Sequence, residues 1–233
     1  MMLAEVRGLL AAVPGPATYD DYAWAAIEDN ALGKATAATR VKTLGMLRQL
    51  YALDGSVPVF AALRALWALD AEAQRLIALL CAVARDPLLR ATADFVLALQ
   101  PGDPVGPAGL GAEVGAAFPA RYSPGVLHHL GQNTGASWVQ AGHLTGRMKK
   151  HRARAMATTP ATVYALYLGH LEGLAGPALY GTLWARLLDT DQKTLQSQVK
   201  AAARSGWIDY ASAGGMTEFG FSPLDELTHR GSA

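Results

Sequence analysis

The spacing of apolar and polar positions is helical almost everywhere up to Gln100, in segments rich in Ala and Leu with few β-branched runs. Tyr22, Trp24 and Ile27 mark a stripe on a helix that begins near Asp20 and ends near Asn30. A second helix is expected from Thr36 to Leu53, with Val41, Leu44, Leu47, Leu50 and Tyr51 facing inward. Pro58 suits a first helical turn ahead of Phe60, Leu63, Leu66 and Trp67. Helices over Ala71 to Arg85 and Pro87 to Leu99 follow, and such short connections make antiparallel neighbours, so residues 1–100 read as a helical bundle. PGDPVGPAG, residues 101–109, is the clearest break in the pattern and is taken as the junction to a second unit, residues 110–233.

Towards the C-terminus the period switches from helix to strand within one short segment. In Thr190 to Phe221, Leu195, Val199 and Ala202 fall at i, i+4 and i+7, while Lys193, Lys200 and Arg204 lie on the polar remainder. Asp189 and Gln192 stand three apart, as a capping box would place them, and Gly206 follows the last periodic residue, where a left-handed C′ position is wanted. WIDY and MTEFGF then read as two short strands, with Gly214 and Gly215 in the loop between them. Two further helical segments precede this one, TTPATVYALYLGHLEG and GPALYGTLWARLLD. Three helices and a hairpin in that order match a winged helix-turn-helix over about 160–221. The expected fold is therefore mainly α, an N-terminal helical bundle followed by a C-terminal winged helix-turn-helix-like unit with one β-hairpin.

Composition changes this picture little: 51% hydrophobic and 17% charged residues describe a folded chain. The longest apolar run, Leu76 to Ala84, is far below the roughly 20 residues of a membrane span and reads as a buried helix face. The single cysteine, Cys81, agrees with a reducing compartment, and with no signal peptide recognised the cytoplasm is the expected location.

Charge changes it more. The net charge is only +1, yet no Asp or Glu occurs between Glu113 and Glu172, an interval that holds Arg121, Arg147, Lys149, Lys150, Arg152 and Arg154 and five of the six histidines. Five of those cations lie in GRMKKHRARA, residues 146–155. Such a cluster repels itself and belongs on a solvated face, loop or arm that counter-ions or phosphates neutralise.

Candidate chemistry is sparse. Cys81 sits among apolar residues and suits packing, whereas a reactive thiolate needs an electropositive, accessible setting. His128 and His129 are adjacent, which disfavours a shared metal, and no H-x-x-x-H pattern accompanies them. No phosphate loop and no strand leading into GxGxxG is present. No catalytic residue, metal or cofactor is therefore assigned, and the chain is read as a non-enzyme. Trp67, Trp184 and Phe95 are expected in the core, Trp138 either in the core or stacking beside the basic run, and Trp207 closing the winged unit.

The segments DNALGKATAATRVKTLGMLRQL, SWVQAGHLTGRMKKHRARA, YALYLGHLEGLAGPALYGTLWARLLD and ARSGWIDYASAGGMTEFGF, in that order, resemble the BrxA family of BREX phage-defence systems, over roughly Tyr19 to Phe221 and most loosely over 101–135. The resemblance implies a small, helix-rich, cytoplasmic DNA-binding accessory protein that works beside other defence subunits. It also implies a fold likened to RNA-binding antitermination factors of the NusB type. The leading expectation is a double-stranded DNA binder that uses Arg147, Lys149, Lys150, Arg152 and Arg154 as a basic arm. Lys193, Gln196, Gln198, Lys200 and Arg204 would make its recognition-helix contacts. Two alternatives stand beside it: a protein-interaction adaptor that offers the winged unit to a partner subunit, and an RNA-binding factor using a basic face of Lys34, Arg40, Lys42 and Arg48.

Overall fold

The protein is described by a computed structural model over residues 1–15, 17–213 and 216–230. Gly214 and Gly215, expected in the hairpin loop, lie outside these residues. The chain is mainly helical, with a few short antiparallel strands.

The first hundred residues form α1 (Leu3–Ala12), α2 (Tyr19–Ile27), α3 (Ala37–Tyr51), α4 (Pro58–Trp67), α5 (Ala73–Arg85), α6 (Pro87–Ala91) and α7 (Ala93–Ala98). Local chemistry sets the starts. Thr18 and Asp21 cap α2 reciprocally, the Thr36 hydroxyl accepts from the Thr39 amide at the start of α3, and Pro58 and Pro87 occupy first turns that need no amide. Helix α5 is apolar around most of its circumference, and Ala73 and every residue from Leu76 to Val83 are buried, as such a helix must be.

Two inward positions are corrected. Trp24 is 65% exposed, because two residues along a helix turn it about 200° from Tyr22, and the buried stripe runs instead through Tyr22, Ala25 and Ala26. Val41 is exposed, because Thr43, Leu44, Leu47 and Tyr51 fill the inward face of α3. The helix expected over Pro87 to Leu99 breaks at Thr92. Its buried hydroxyl donates to the Leu89 carbonyl at 2.8 Å and accepts from Trp138 Nε1 at 2.8 Å, so a partner 46 residues away holds the break.

The stretch 101–109 does not act as a spacer. Its prolines take positions that suit them: Pro104–Val105 is strand β1, at a sheet edge, and Pro107 opens α8 (Pro107–Ala117). Helix α9 (Pro124–Ala141) folds back antiparallel on α8. Glycines allow the approach, since a Cβ on Gly131 would stand 2.0 Å from the Pro107 carbonyl oxygen and one on Gly111 2.5 Å from that of Leu127. Strands β2 (Leu144–Thr145) and β3 (Lys150–Arg152) complete an antiparallel sheet of order β1-β3-β2, with Val105 opposite Lys150 and Leu144 opposite Arg152.

Beyond the sheet come α10 (Thr159–Leu171), a 3-10 helix (Gly176–Gly181), α11 (Leu183–Arg186) and α12 (Gln192–Arg204). Strands β4 (Asp209–Ala213) and β5 (Met216–Gly220) and helix α13 (Ser222–Arg230) end the described chain. All nine residues from Ala161 to Gly169 of α10 are buried. That helix packs on α4, α5 and α12, and the Tyr164 hydroxyl donates to the Val59 carbonyl at 2.9 Å. Helix α13 packs on α4 in turn, so one hydrophobic core runs through both halves of the chain. The helix expected over GPALYGTLWARLLD is present as the 3-10 helix followed by the single turn of α11.

Candidate nucleic-acid interface

The basic run is an ordered β-hairpin, not a free arm. Gly146 turns the chain between β2 and β3 at φ +94°, where a Cβ would lie 2.0 Å from the Lys149 carbonyl oxygen. Arg147, Met148 and Lys149 are exposed at the turn. The half-buried Lys150 runs its stem past Gly135 of α9 and donates from Nζ to the Arg147 carbonyl at 3.2 Å. Arg154 is exposed just after the sheet.

Arg152 departs from the expected role. It is buried in the middle strand, where Nη1 and Nη2 grip the two carboxylate oxygens of Asp189 at 2.8 and 2.7 Å. The paired side chains are only 4% and 9% exposed, so this guanidinium is not available to a phosphate. Nη1 also reaches the backbone carbonyls of His143 and Ala153, and the Ala155 amide donates to Asp189 Oδ2 at 2.9 Å. Burial pushes the Asp189 carboxyl up, but the hydrogen bonds from Arg152 and Ala155 and the nearby positive charge outweigh it and hold the group below the usual carboxylate range.

His143 lies beside this pair, fully buried, with Nε2 3.0 Å from the Leu187 carbonyl and its ring edge-on to Trp138 at 5.1 Å. Burial lowers its pKa to about 4, so the imidazole is neutral at pH 7. Sequence reasoning missed the Arg152–Asp189–His143 cluster, because its members are 9 and 37 residues from Arg152 and no spacing rule joins them. A single hint was present. Asp191 is a second acid beside Asp189, so one of the two was free for another task.

Asp191, not Asp189, caps α12, accepting from the Thr194 amide at 2.8 Å. At the other end, Gly206 at φ +73° donates to the Ala203 carbonyl and Trp207 to that of Ala202, both at 3.0 Å, the paired bonds of a Schellman motif. Leu195, Val199 and Ala202 are buried, which leaves Lys193, Gln196, Lys200 and Arg204 together on the exposed face. Gln198 is drawn away from that set: its Oε1 accepts a hydrogen bond from the Thr159 hydroxyl, tying α12 to the start of α10. Hairpin and helix thus meet at one joint, since Arg152 of β3 holds the residue two places before the α12 cap.

The second basic face is largely committed to internal contacts. Lys34 pairs with Glu5 at 2.9 Å, and Arg40 donates to the carbonyls of Ile27 and Lys34 at 2.8 and 3.3 Å. Arg48 lies over the Tyr19 ring at 4.1 Å, and Lys42 is exposed. Among the aromatics, Trp138 is a core residue and Trp207 is half-buried against the core beside the hairpin. Burial raises the Cys81 thiol to about 12. Among the described residues no group of three His, Cys, Asp or Glu is placed to hold a metal, and no helix is long and apolar enough to cross a membrane. Comparison of the chain with protein-family models, curated proteins and solved structures yields no significant match.

Proposed function

We propose that this protein is a double-stranded DNA-binding component, with the β2–β3 hairpin and the exposed face of α12 as its contact surface. The observation that carries the reading is the joint made by Arg152 and Asp189, which sets a hairpin with exposed Arg147 and Lys149, followed directly by exposed Arg154, beside the start of a helix bearing exposed Lys193, Lys200 and Arg204. Cations fixed on ordered elements lose little freedom on meeting a phosphate backbone, and each contact releases counter-ions. In this reading α10, the broken helix after it, α12 and the β4–β5 hairpin act as a winged helix, with α12 offered to a groove. Membership of a BREX-type defence system rests on the sequence resemblance and is tested by the gene neighbourhood.

The test is a salt titration of duplex binding. Four contacts from the hairpin and the residues just after it, Arg147, Lys149, Lys150 and Arg154, contribute about −3.6 to the slope of log K against log salt. Changing those four to Ala, with Arg152 left in place, flattens the slope by about that amount and weakens binding alike on all sequences. An unchanged slope sinks the hairpin as a DNA contact. Wild-type protein that ignores duplex DNA at low salt but captures a partner subunit at high salt supports the adaptor reading instead.

A further inference from the structure

The acid-free interval has a second exposed part that lies outside the hairpin. The loop joining α8 to α9 carries Arg121, whose guanidinium sits over both Phe118 at 5.7 Å and Tyr122 at 5.5 Å, the two rings meeting edge-on at 6.4 Å. Arg121 itself is exposed and the rings are half-buried, so the cation is held in place while its edge stays open to solvent. From that loop α9 runs back towards the sheet. Its outer face carries His128, His129, Gln132 and Asn133, all exposed and none acidic, flanked by the exposed Val126. Gln132 bridges the two imidazoles, donating to His128 Nε2 at 3.2 Å and accepting from His129 Nδ1 at 3.3 Å, so this surface is also fixed.

The C-terminal part of α9 meets the proposed interface through a buried glycine beside the face. At its far end Gly135 lies under the stem of Lys150, since a Cβ there would stand 3.4 Å from Lys150 Cδ. Pro124 to Gly135 spans about 16 Å at 1.5 Å per residue. Along the duplex axis, where one strand carries a phosphate about every 3.4 Å, that length covers about five base-pair steps. Of the acids on adjoining elements, Asp94 pairs with Arg186 at 2.6 Å, Asp103 accepts from the Gln100 amide, and Glu113 is half-buried on α8.

We infer that the outer face of α9, from Lys150 to the Arg121 clamp, is a second phosphate track that extends the DNA footprint beyond the hairpin. This rests on the DNA-binding reading above. The polar histidine, glutamine and asparagine side chains supply hydrogen bonds to the backbone, and Arg121 supplies a fixed positive charge at the end.

The experiment compares Arg121→Glu with Arg75→Glu, an equal charge reversal on an exposed position of α5, in salt titrations with duplex DNA. The expected result is a loss of about tenfold in affinity and a slope flatter by about one unit for Arg121→Glu. Arg75→Glu stays within about twofold of wild type. His129→Glu, in the middle of the face, falls between the two, and all three variants keep the wild-type melting curve. If Arg121→Glu and Arg75→Glu bind alike while wild type binds well, the second track is overturned and the hairpin reading stands. If wild type does not bind duplex DNA, both fall together.

Discussion

At the scale of residues, the pair formed by Arg152 and Asp189 carries the most consequence. Taking two charges out of water is costly, and their geometry compensates only while both partners are present. Arg152→Ala leaves the Asp189 carboxylate buried with one backbone donor, so a loss of about 3–5 kcal/mol is expected in urea unfolding. The same change at Lys149, exposed on the hairpin turn, costs under about 0.5 kcal/mol, although both residues belong to one basic run.

His143 adds a pH dependence whose sign follows from its burial. The folded pKa of about 4 lies below the unfolded value of about 6.5, so the unfolded chain takes up the proton first. Stability from this group is complete above pH 6.5 and declines as pH falls towards 4. It amounts to a loss of about 2 kcal/mol between pH 7 and pH 5. Asp189, held low, adds its own loss only below the usual carboxylate range, as pH falls through its folded pKa. Urea titrations at the two pH values check this, and a His143→Gln variant that keeps the full wild-type slope between them would rule the assignment out.

Among the elements, the α8–α9 hairpin shows how glycine positions divide. Gly131→Ala drives a methyl into the Pro107 carbonyl and is expected to cost more than about 2 kcal/mol. Gly125→Ala, also on α9 but with open space around it, is expected to stabilise by up to about 1 kcal/mol. Thermal melts of the two variants separate the effects, and equal shifts would contradict the packing. Most element boundaries were legible from periodicity and caps: α4 starts at its proline, and α12 ends at Gly206 in the left-handed region. The exceptions have tertiary causes. Trp138 holds the Thr92 break between α6 and α7, and Arg152 takes Asp189 out of the cap of α12 and leaves the task to Asp191.

For the whole molecule, α10 is the element on which the halves depend. It covers α5 with a face that is buried along nine consecutive residues, so the first hundred residues alone would expose much of the surface that α5 buries. A fragment of residues 1–103 is therefore expected to lack a cooperative thermal transition and to bind a dye for exposed apolar surface, whereas the full chain melts cooperatively. A fragment that melts sharply by itself would show that the proline- and glycine-rich stretch separates two independent units after all.

The sequence by itself determined the helical class, the helix-then-hairpin order near the C-terminus and the segregation of positive charge, because period, capping and composition are local properties of the chain. Only the tertiary structure decided which of those charges face water. Arg147, Lys149 and Arg154 stay exposed while Arg152, two positions from Arg154, is buried against Asp189, and Gln198 turns from the α12 face to Thr159. Burying a charge or a polar group is stable only where a partner is within hydrogen-bond reach. Those partners, 37 and 39 residues away, are brought there by folding and by nothing written beside them in the chain.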